Sequence, residues 1–331
     1  MQTFGVIGAG AWGTALAQSL RRAGRDVTIW AREAEIVQAI NERHENPTFL
    51  PNIPLDKGIV ATDSLSQAAG ADALLLVTPA QYVRATLQAL RPHLLDGKPV
   101  IICAKGIEIE SGQLLSTVMK EEAPDATCAV MTGPTFAHEV ARGMPTAVTL
   151  AVAKDKDLAE EIRDSIGHKT FRPYVTDDVI GAQIGGAVKN VIAIACGVID
   201  GRKLGENARA ALITRGLAEM GRLASAMGAD RTTLMGMCGI GDLMLTCNSM
   251  QSRNFSLGKA LGEGKTLKDI LGERKSVTEG VFTAEALVKM AARLAVDMPI
   301  AASVNGFLKE ENTLEEAIEN LLDRPFKREE K

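Results

Sequence analysis

Thr3-Phe4-Gly5-Val6-Ile7-Gly8-Ala9-Gly10-Ala11-Trp12-Gly13 is the stretch on which the fold turns. A short apolar run meets G-x-G-x-x-G, and an Ala/Leu stretch with helical spacing follows. In a strand–turn–helix setting the three glycines have separate tasks. Gly8 allows the tight turn, Gly10 lets the backbone approach a pyrophosphate, and Gly13 lets the helix lie close on the sheet. The helix start at Ala11 and Trp12 then offers N–H donors and the positive end of a dipole to phosphate. By itself the pattern also describes a glycine turn with no ligand.

The alternation continues beyond this loop. Apolar and β-branched runs predict strands at 4–7, 26–30, 73–78, 99–103, 127–131 and 146–152. Helical periodicity separates them at 16–23, 33–41, 80–90 and 114–122. Such alternation predicts an α/β, doubly wound (Rossmann-like) domain with a mostly parallel sheet, over residues 1–177. Past Tyr174 the strand signals fade, and Ala/Gly/Leu/Met-rich helical stretches appear at 179–198, 208–227, 283–294 and 314–322. Residues 178–331 therefore read as an all-helical domain that carries the substrate chemistry, ending in a solvated tail at 327–331.

Composition excludes several classes of function. Over 331 residues, 37 Lys+Arg stand against 41 Asp+Glu, so no basic excess points to nucleic acid. Only 4% of residues are aromatic, which argues against rows of base-stacking side chains. The five cysteines are odd in number, widely spaced and form no C-x-x-C; they read as reduced, mostly buried apolar residues. The four histidines are scattered, so no metal site is expected. No basic segment, apolar region and cleavage site precede the first strand, and the expectation is a cytoplasmic chain. The stretch 179–199 has the length of a membrane span but carries Lys189 beside Gln183 and Asn190. Lysine at a bilayer centre costs about 2.5–3.5 kcal/mol, so this stretch reads as a buried core helix.

Lys189 is the most informative single residue. Its helical neighbours are Gly185, Gly186, Ile192 and Ala193, so no solvated stripe receives the ammonium. Burial lowers a lysine's pKa and fits it for proton exchange near neutrality. The alternatives are a structural lysine paired with a buried carboxylate, or a surface lysine. Asp242, flanked by apolar residues, is a candidate partner for it or for a substrate hydroxyl. Ser252-Arg253-Asn254 gathers a hydroxyl, a guanidinium and an amide, the groups that hold a phosphate dianion; a polar helix cap is the alternative. Lys105 follows one predicted strand and the Thr132-Gly133-Pro134-Thr135 turn another, where open α/β sheets bind ligands. Past the second strand, Arg32 favours a 2′-phosphorylated cofactor (NADP), with NAD not excluded, while Glu33 reads as a first-turn helix residue.

Together these segments resemble the bacterial-type NAD(P)-dependent glycerol-3-phosphate dehydrogenases, through GAGAWGTALA, CAKGIE, TGPTFAHEVA, AVKNVIAIACG, GIGDLMLTCNSMQSRN and TEGVFTA. The resemblance implies reversible reduction of dihydroxyacetone phosphate to sn-glycerol 3-phosphate, a phospholipid precursor, by a cytoplasmic homodimer. It implies Lys189 as proton acceptor, with Lys105, Gly133, Thr135, Asp242, Ser252, Arg253 and Asn254 at the substrate. It also implies NADP(H) or NAD(H) contacts from Trp12, Arg32, Lys105, Ala137, Arg253, Val277 and Glu279. A β-hydroxyacid or 6-phosphogluconate-type dehydrogenase is the competing enzyme, and a cofactor sensor without turnover the competing class.

Overall fold

A computed structural model describes residues 1–274 and 277–323; the expected tail at 327–331 lies outside the described residues. The N-terminal half is built on one eight-stranded sheet: β1 (Thr3–Ile7), β2 (Asp26–Trp30), β3 (Ile59–Thr62), β4 (Ala73–Leu76), β5 (Pro99–Ile102), β6 (Thr127–Thr132), β7 (Thr146–Val152) and β8 (Phe171–Thr176). Their spatial order is β3-β2-β1-β4-β5-β6-β7-β8, and every pairing is parallel except β6 with β7. Seven helices connect the strands: α1 (Ala11–Arg22), α2 (Ala34–Gln38), α3 (Leu65–Ala69), α4 (Val83–Leu90), α5 (Leu115–Glu122), α6 (Ala137–Ala141) and α7 (Lys156–Ile166).

A sheet covered on both faces demands strands that are apolar throughout. In β4 every residue is buried, and alternate side chains serve opposite layers. Leu75 joins Leu16, Leu20, Ile29, Ile101 and Ile162 on one face. Leu74 and Leu76 join Leu87, Leu90, Val100 and Val118 on the other. The strand order reverses beside β1, between β2 and β4, and this switch point opens a crevice at the strands' carboxyl ends.

The remaining helices are α8 (Val179–Gly201), α9 (Glu206–Ala226), α10 (Asp242–Cys247), α11 (Arg253–Gly262), α12 (Leu267–Gly272), α13 (Glu279–Arg293), α14 (Pro299–Leu308) and α15 (Leu314–Leu322). The axis of this half is α8, whose residues Gly181–Val198 are all buried. It is the one described helix long and apolar enough to cross a membrane, yet 89% of its apolar window is covered by the rest of the protein. Glycines set how closely α11 crosses it. A Cβ on Gly197 would collide with the Phe255 carbonyl, and one on Gly258 with the Ile194 carbonyl.

Several expected boundaries move, each for a local reason. The first helix starts at Ala11 rather than 16, because the glycine loop runs directly into it with Gly10 as N-cap. The single helix expected at 80–90 is a 3-10 turn, Ala80–Tyr82, followed by α4. The one expected at 33–41 begins at Ala34 and widens into a π-type turn, Ala39–Arg43. Strands expected at 73–78 and 99–103 stop at Leu76 and Ile102, while the one expected to end at 131 reaches Thr132. The helix expected from 283 begins at Glu279.

Two strands have no counterpart in the sequence reading. β3 is four residues at one sheet edge, with Val60 49% exposed. β8, at the other edge, contains Arg172, Pro173 and Tyr174; an edge strand tolerates proline because its outer face needs no ladder N–H. α7 also went unread, being polar apart from a narrow stripe of Ala159, Ile162 and Ile166 and opened by the Asp155 cap on Leu158 N.

The α8–α11 crossing yields a direct test. Gly258→Ala overpacks it and is expected to cost about 1–3 kcal/mol in urea denaturation. Gly272→Ala, with open space around the new methyl, stays within about 0.5 kcal/mol of the parent.

Candidate functional site

At the switch point the glycine loop adopts the geometry its spacing calls for. Gly8 has φ +119°, and its N–H donates to the Trp30 carbonyl at 3.1 Å, tying the loop to β2. A Cβ on Gly13 would collide with the Gly8 carbonyl, so α1 approaches β1 only because that side chain is missing. Gly10 differs: an added Cβ would meet nothing within 4 Å, so the α1 N-terminus faces open space. Ala11 and Trp12 are half-buried there, and the buried indole Nε1 has no hydrogen-bond partner. An open cradle at a helix N-terminus, with an orphaned donor beside it, fits a dinucleotide pyrophosphate.

The other expected cofactor residues come from both halves of the chain. Arg32 lies two residues past β2, 78% exposed and ion-paired to Glu33 at 3.2 Å. Ala137 opens α6, which packs against α1. From the helical half, Glu279 Oε1 accepts the Ala80 N–H at 3.0 Å, while Oε2 is buried without a partner. Burial raises the pKa of that carboxyl. The Val277 carbonyl accepts the Arg253 guanidinium at 2.7 Å.

Beside the crevice, three charged groups meet below the surface. Lys189 projects from the middle of α8 and is 5% exposed. Its Nζ donates to Asp242 Oδ1 and, at 2.9 Å, to Thr246 Oγ1. Asp242, 1% exposed, opens α10, and Thr246 follows one turn later on the same face. The second carboxylate oxygen, Oδ2, accepts from Lys105 Nζ at 2.8 Å. Lys105 also donates to the Gly133 carbonyl at 2.8 Å, and Thr135 Oγ1 donates to that same carbonyl at 3.3 Å. Gly133 has φ +154°, and a side chain there would press on Val148 Cα at 2.9 Å.

The electrostatics follow from two amines sharing one carboxylate. Burial pushes the Lys189 pKa down to about 7; Asp242 pulls it up, and nearby Lys105 lowers it further. The structural alternative for Lys189, a pairing with a buried carboxylate, is thus present, and the amine nonetheless titrates near neutrality.

The Ser252-Arg253-Asn254 segment is the N-terminus of α11. Ser252 is its N-cap, accepting the Phe255 N–H at 3.2 Å, so the capping alternative also holds. Arg253 is the first helical residue; its guanidinium donates to the Val277 carbonyl, and desolvation holds its pKa below the usual arginine value. Asn254 is buried; its Nδ2 donates to Asn190 Oδ1 at 2.8 Å and its Oδ1 accepts the Gly280 N–H at 3.0 Å. It pins α11 to α8 and α13. Arg274 adds a clasp that sequence reasoning missed, donating to the Arg253 carbonyl at 2.6 Å and to Ser256 Oγ at 3.0 Å. Thr246 was also missed, although its i,i+4 spacing from Asp242 carried the signal. Among the described residues no group of three or more His, Cys, Asp or Glu could hold a metal ion.

Comparison with known proteins agrees across the whole chain. A family model described as NAD-dependent glycerol-3-phosphate dehydrogenase N-terminus matches residues 3–159, and the corresponding C-terminus model matches residues 178–319. A protein named glycerol-3-phosphate dehydrogenase [NAD(P)+] from Parvibaculum lavamentivorans is 56% identical over 98% of this chain and 97% of its own. One of the same name from Rhodospirillum rubrum is 58% identical over 97% of this chain and 92% of its own. Among solved structures, a glycerol-3-phosphate dehydrogenase from Coxiella burnetii superposes with a TM-score of 0.93 at 38% identity, covering 98% of this chain and 99% of that one.

Asp242→Asn leaves two amines without their shared anion. The expected cost at pH 7 is about 3–5 kcal/mol, the range for breaking a buried pair. A lysine whose folded pKa is depressed binds fewer protons folded than unfolded between about 7 and 10.5, so stability rises with pH across that window. Without the anion that pKa falls further, so below about 7 the variant gains stability with pH while the parent does not; urea midpoints at pH 6, 7.5 and 9 are expected to show the deficit of Asp242→Asn shrinking from pH 6 to 7.5 and then holding level.

Proposed function

The chain belongs to the NAD-dependent glycerol-3-phosphate dehydrogenase family, and on that premise we propose that it reversibly reduces dihydroxyacetone phosphate to sn-glycerol 3-phosphate with NADPH or NADH. The observation that carries this reading is Lys189, a buried amine poised near neutral pKa and shared with Asp242 and Thr246 beside the glycine crevice.

A nicotinamide dinucleotide, when bound, would supply a hydride to the substrate's carbonyl carbon. Gly8, Gly10, Ala11, Trp12 and Gly13 would hold its pyrophosphate, Arg32 its adenosine ribose, and Lys105, Ala137, Arg253, Val277 and Glu279 would complete its contacts. Negative charge then develops on the carbonyl oxygen, and Lys189 Nζ delivers a proton to it; in the oxidative direction the same nitrogen takes the proton back. Asp242 and Thr246 aim the amine by occupying its other hydrogen-bond directions. Lys105, held between Asp242 and the Gly133 carbonyl, adds positive charge next to the developing oxyanion.

Phosphate recognition sits apart from the reacting carbon. Arg253 stands at the start of α11, where backbone N–H groups converge and a dianion is favoured. Ser252, Asn254, Thr135 and Gly133 complete the substrate contacts, Asn254 chiefly by holding α11 in register with α8. Binding energy from the phosphate positions the carbonyl for transfer. An interior lysine alone also suits a 6-phosphogluconate-type enzyme; the Ser252-Arg253-Asn254 segment favours the phosphorylated ketone. Residues 1–177 act as the dinucleotide domain and 178–331 as the substrate domain. The protein works as a cytoplasmic homodimer supplying glycerophospholipid synthesis.

Initial rates with dihydroxyacetone phosphate, glycerol 3-phosphate, hydroxypyruvate and 6-phosphogluconate, each with both nicotinamides, test the assignment; turnover confined to dihydroxyacetone phosphate and glycerol 3-phosphate is expected. Lys189→Ala is expected to lower kcat about 10²–10⁴-fold while leaving the dissociation constant of NADPH within twofold, measured by fluorescence titration. In the parent, kcat/KM for ketone reduction is expected to fall as pH rises through about 7, because the amine must carry its proton. The oxidative direction mirrors this, rising through the same pH. Arg253→Ala is expected to raise KM for the phosphorylated ketone far more than it changes turnover of an unphosphorylated analogue.

A further inference from the structure

Glu33 occupies the N-cap position of α2, with extended backbone at φ −86° and ψ 114°. A polar side chain there ordinarily turns inward to accept one of the helix's free N–H groups. That of Glu33 makes no such bond. Its Oε1 lies 3.2 Å from Nη2 of Arg32 instead. The carboxylate is 36% exposed and the guanidinium 78%. The backbone beneath them is fixed, since the Ala31 N–H donates to the Thr62 carbonyl at 2.9 Å and Trp30 Nε1 to the Asp63 carbonyl at 3.0 Å. The cation at the end of β2 thus carries its own counter-anion on the next residue.

We propose that Glu33 sets the cofactor preference by competing with a ribose 2′-phosphate for the Arg32 guanidinium. This rests on the reading above that places Arg32 at the adenosine ribose. A 2′-phosphate dianion must take the guanidinium from Glu33 and then sit within a few ångströms of a second negative charge. A ribose 2′-hydroxyl meets no such opposition, because it donates to the carboxylate and leaves the ion pair intact. The two adjacent side chains therefore serve both cofactors, and the anion holds their affinities near parity.

The test is Glu33→Gln, which keeps the shape and removes the charge, measured on the full chain by calorimetry. Adenosine 2′,5′-bisphosphate and adenosine 5′-monophosphate are the probes, followed by NADPH and NADH in fluorescence titrations. Loss of an exposed ion pair and of one like-charge contact across a few ångströms of solvent corresponds to roughly five- to thirtyfold tighter binding of the 2′-phosphorylated member of each pair. The unphosphorylated member is expected to change less than threefold. The gain is expected to shrink in 0.5 M salt because the groups are exposed. Arg32→Ala, run beside it, separates the two readings. If Glu33→Gln leaves the ratio of 2′-phosphorylated to unphosphorylated affinity within twofold of the parent while Arg32→Ala lowers that ratio fivefold or more, the role of Glu33 is overturned and that of Arg32 stands. If neither variant moves the preference, Arg32 is not at the ribose and both readings fall.

Discussion

One carboxylate shared by two lysines governs this molecule. Asp242 is almost fully enclosed, and its oxygens are divided between Lys189 from α8 and Lys105 from the loop after β5. Neither lysine could sit so close to the other without the anion between them. The anion in turn could not be buried without those donors and the Thr246 hydroxyl alongside. The result is an amine held between two demands, desolvation against a neighbouring negative charge, and desolvation is the stronger.

The architecture exists to bring those groups together. Lys105 and Gly133 arrive from carboxyl ends of sheet strands, whereas Lys189 and Asp242 arrive from helices of the second half. α8 reaches its depth because glycines on it and on α11 let the two backbones approach closely. Asn254 then locks α11 to α8 and α13 through a single amide, and Arg274 fastens the Arg253 carbonyl from the other side. Phosphate recognition and proton exchange are thereby tied to the same central helix.

Much of this is legible in the residues themselves. β2 and β7 occupy the stretches their β-branched runs indicate, and the glycine spacing foretells which position turns, which stays open and which packs. Lys189 stands out because no charged neighbour shares its helix face. What stays hidden depends on distant partners. β3 and β8 are edge strands, and pairing on one side suffices for them without the apolar signature of a covered strand. The meeting of Lys105 with Asp242 spans 137 positions, so nothing local announces it. Glu33 reads as an ordinary first-turn residue, and only its rotation toward Arg32 gives it another meaning.

The bond between Glu279 and the Ala80 N–H, with the one between Lys105 and Asp242, crosses from the helical half to the sheet half. Proteins of this build are tempting material for chimeras in which one parent donates the nucleotide module and another the helices. Here such a graft would have to inherit these crossings as matched sets, because a recipient lacking the lysine after β5 would receive an aspartate with only half of its counter-charge.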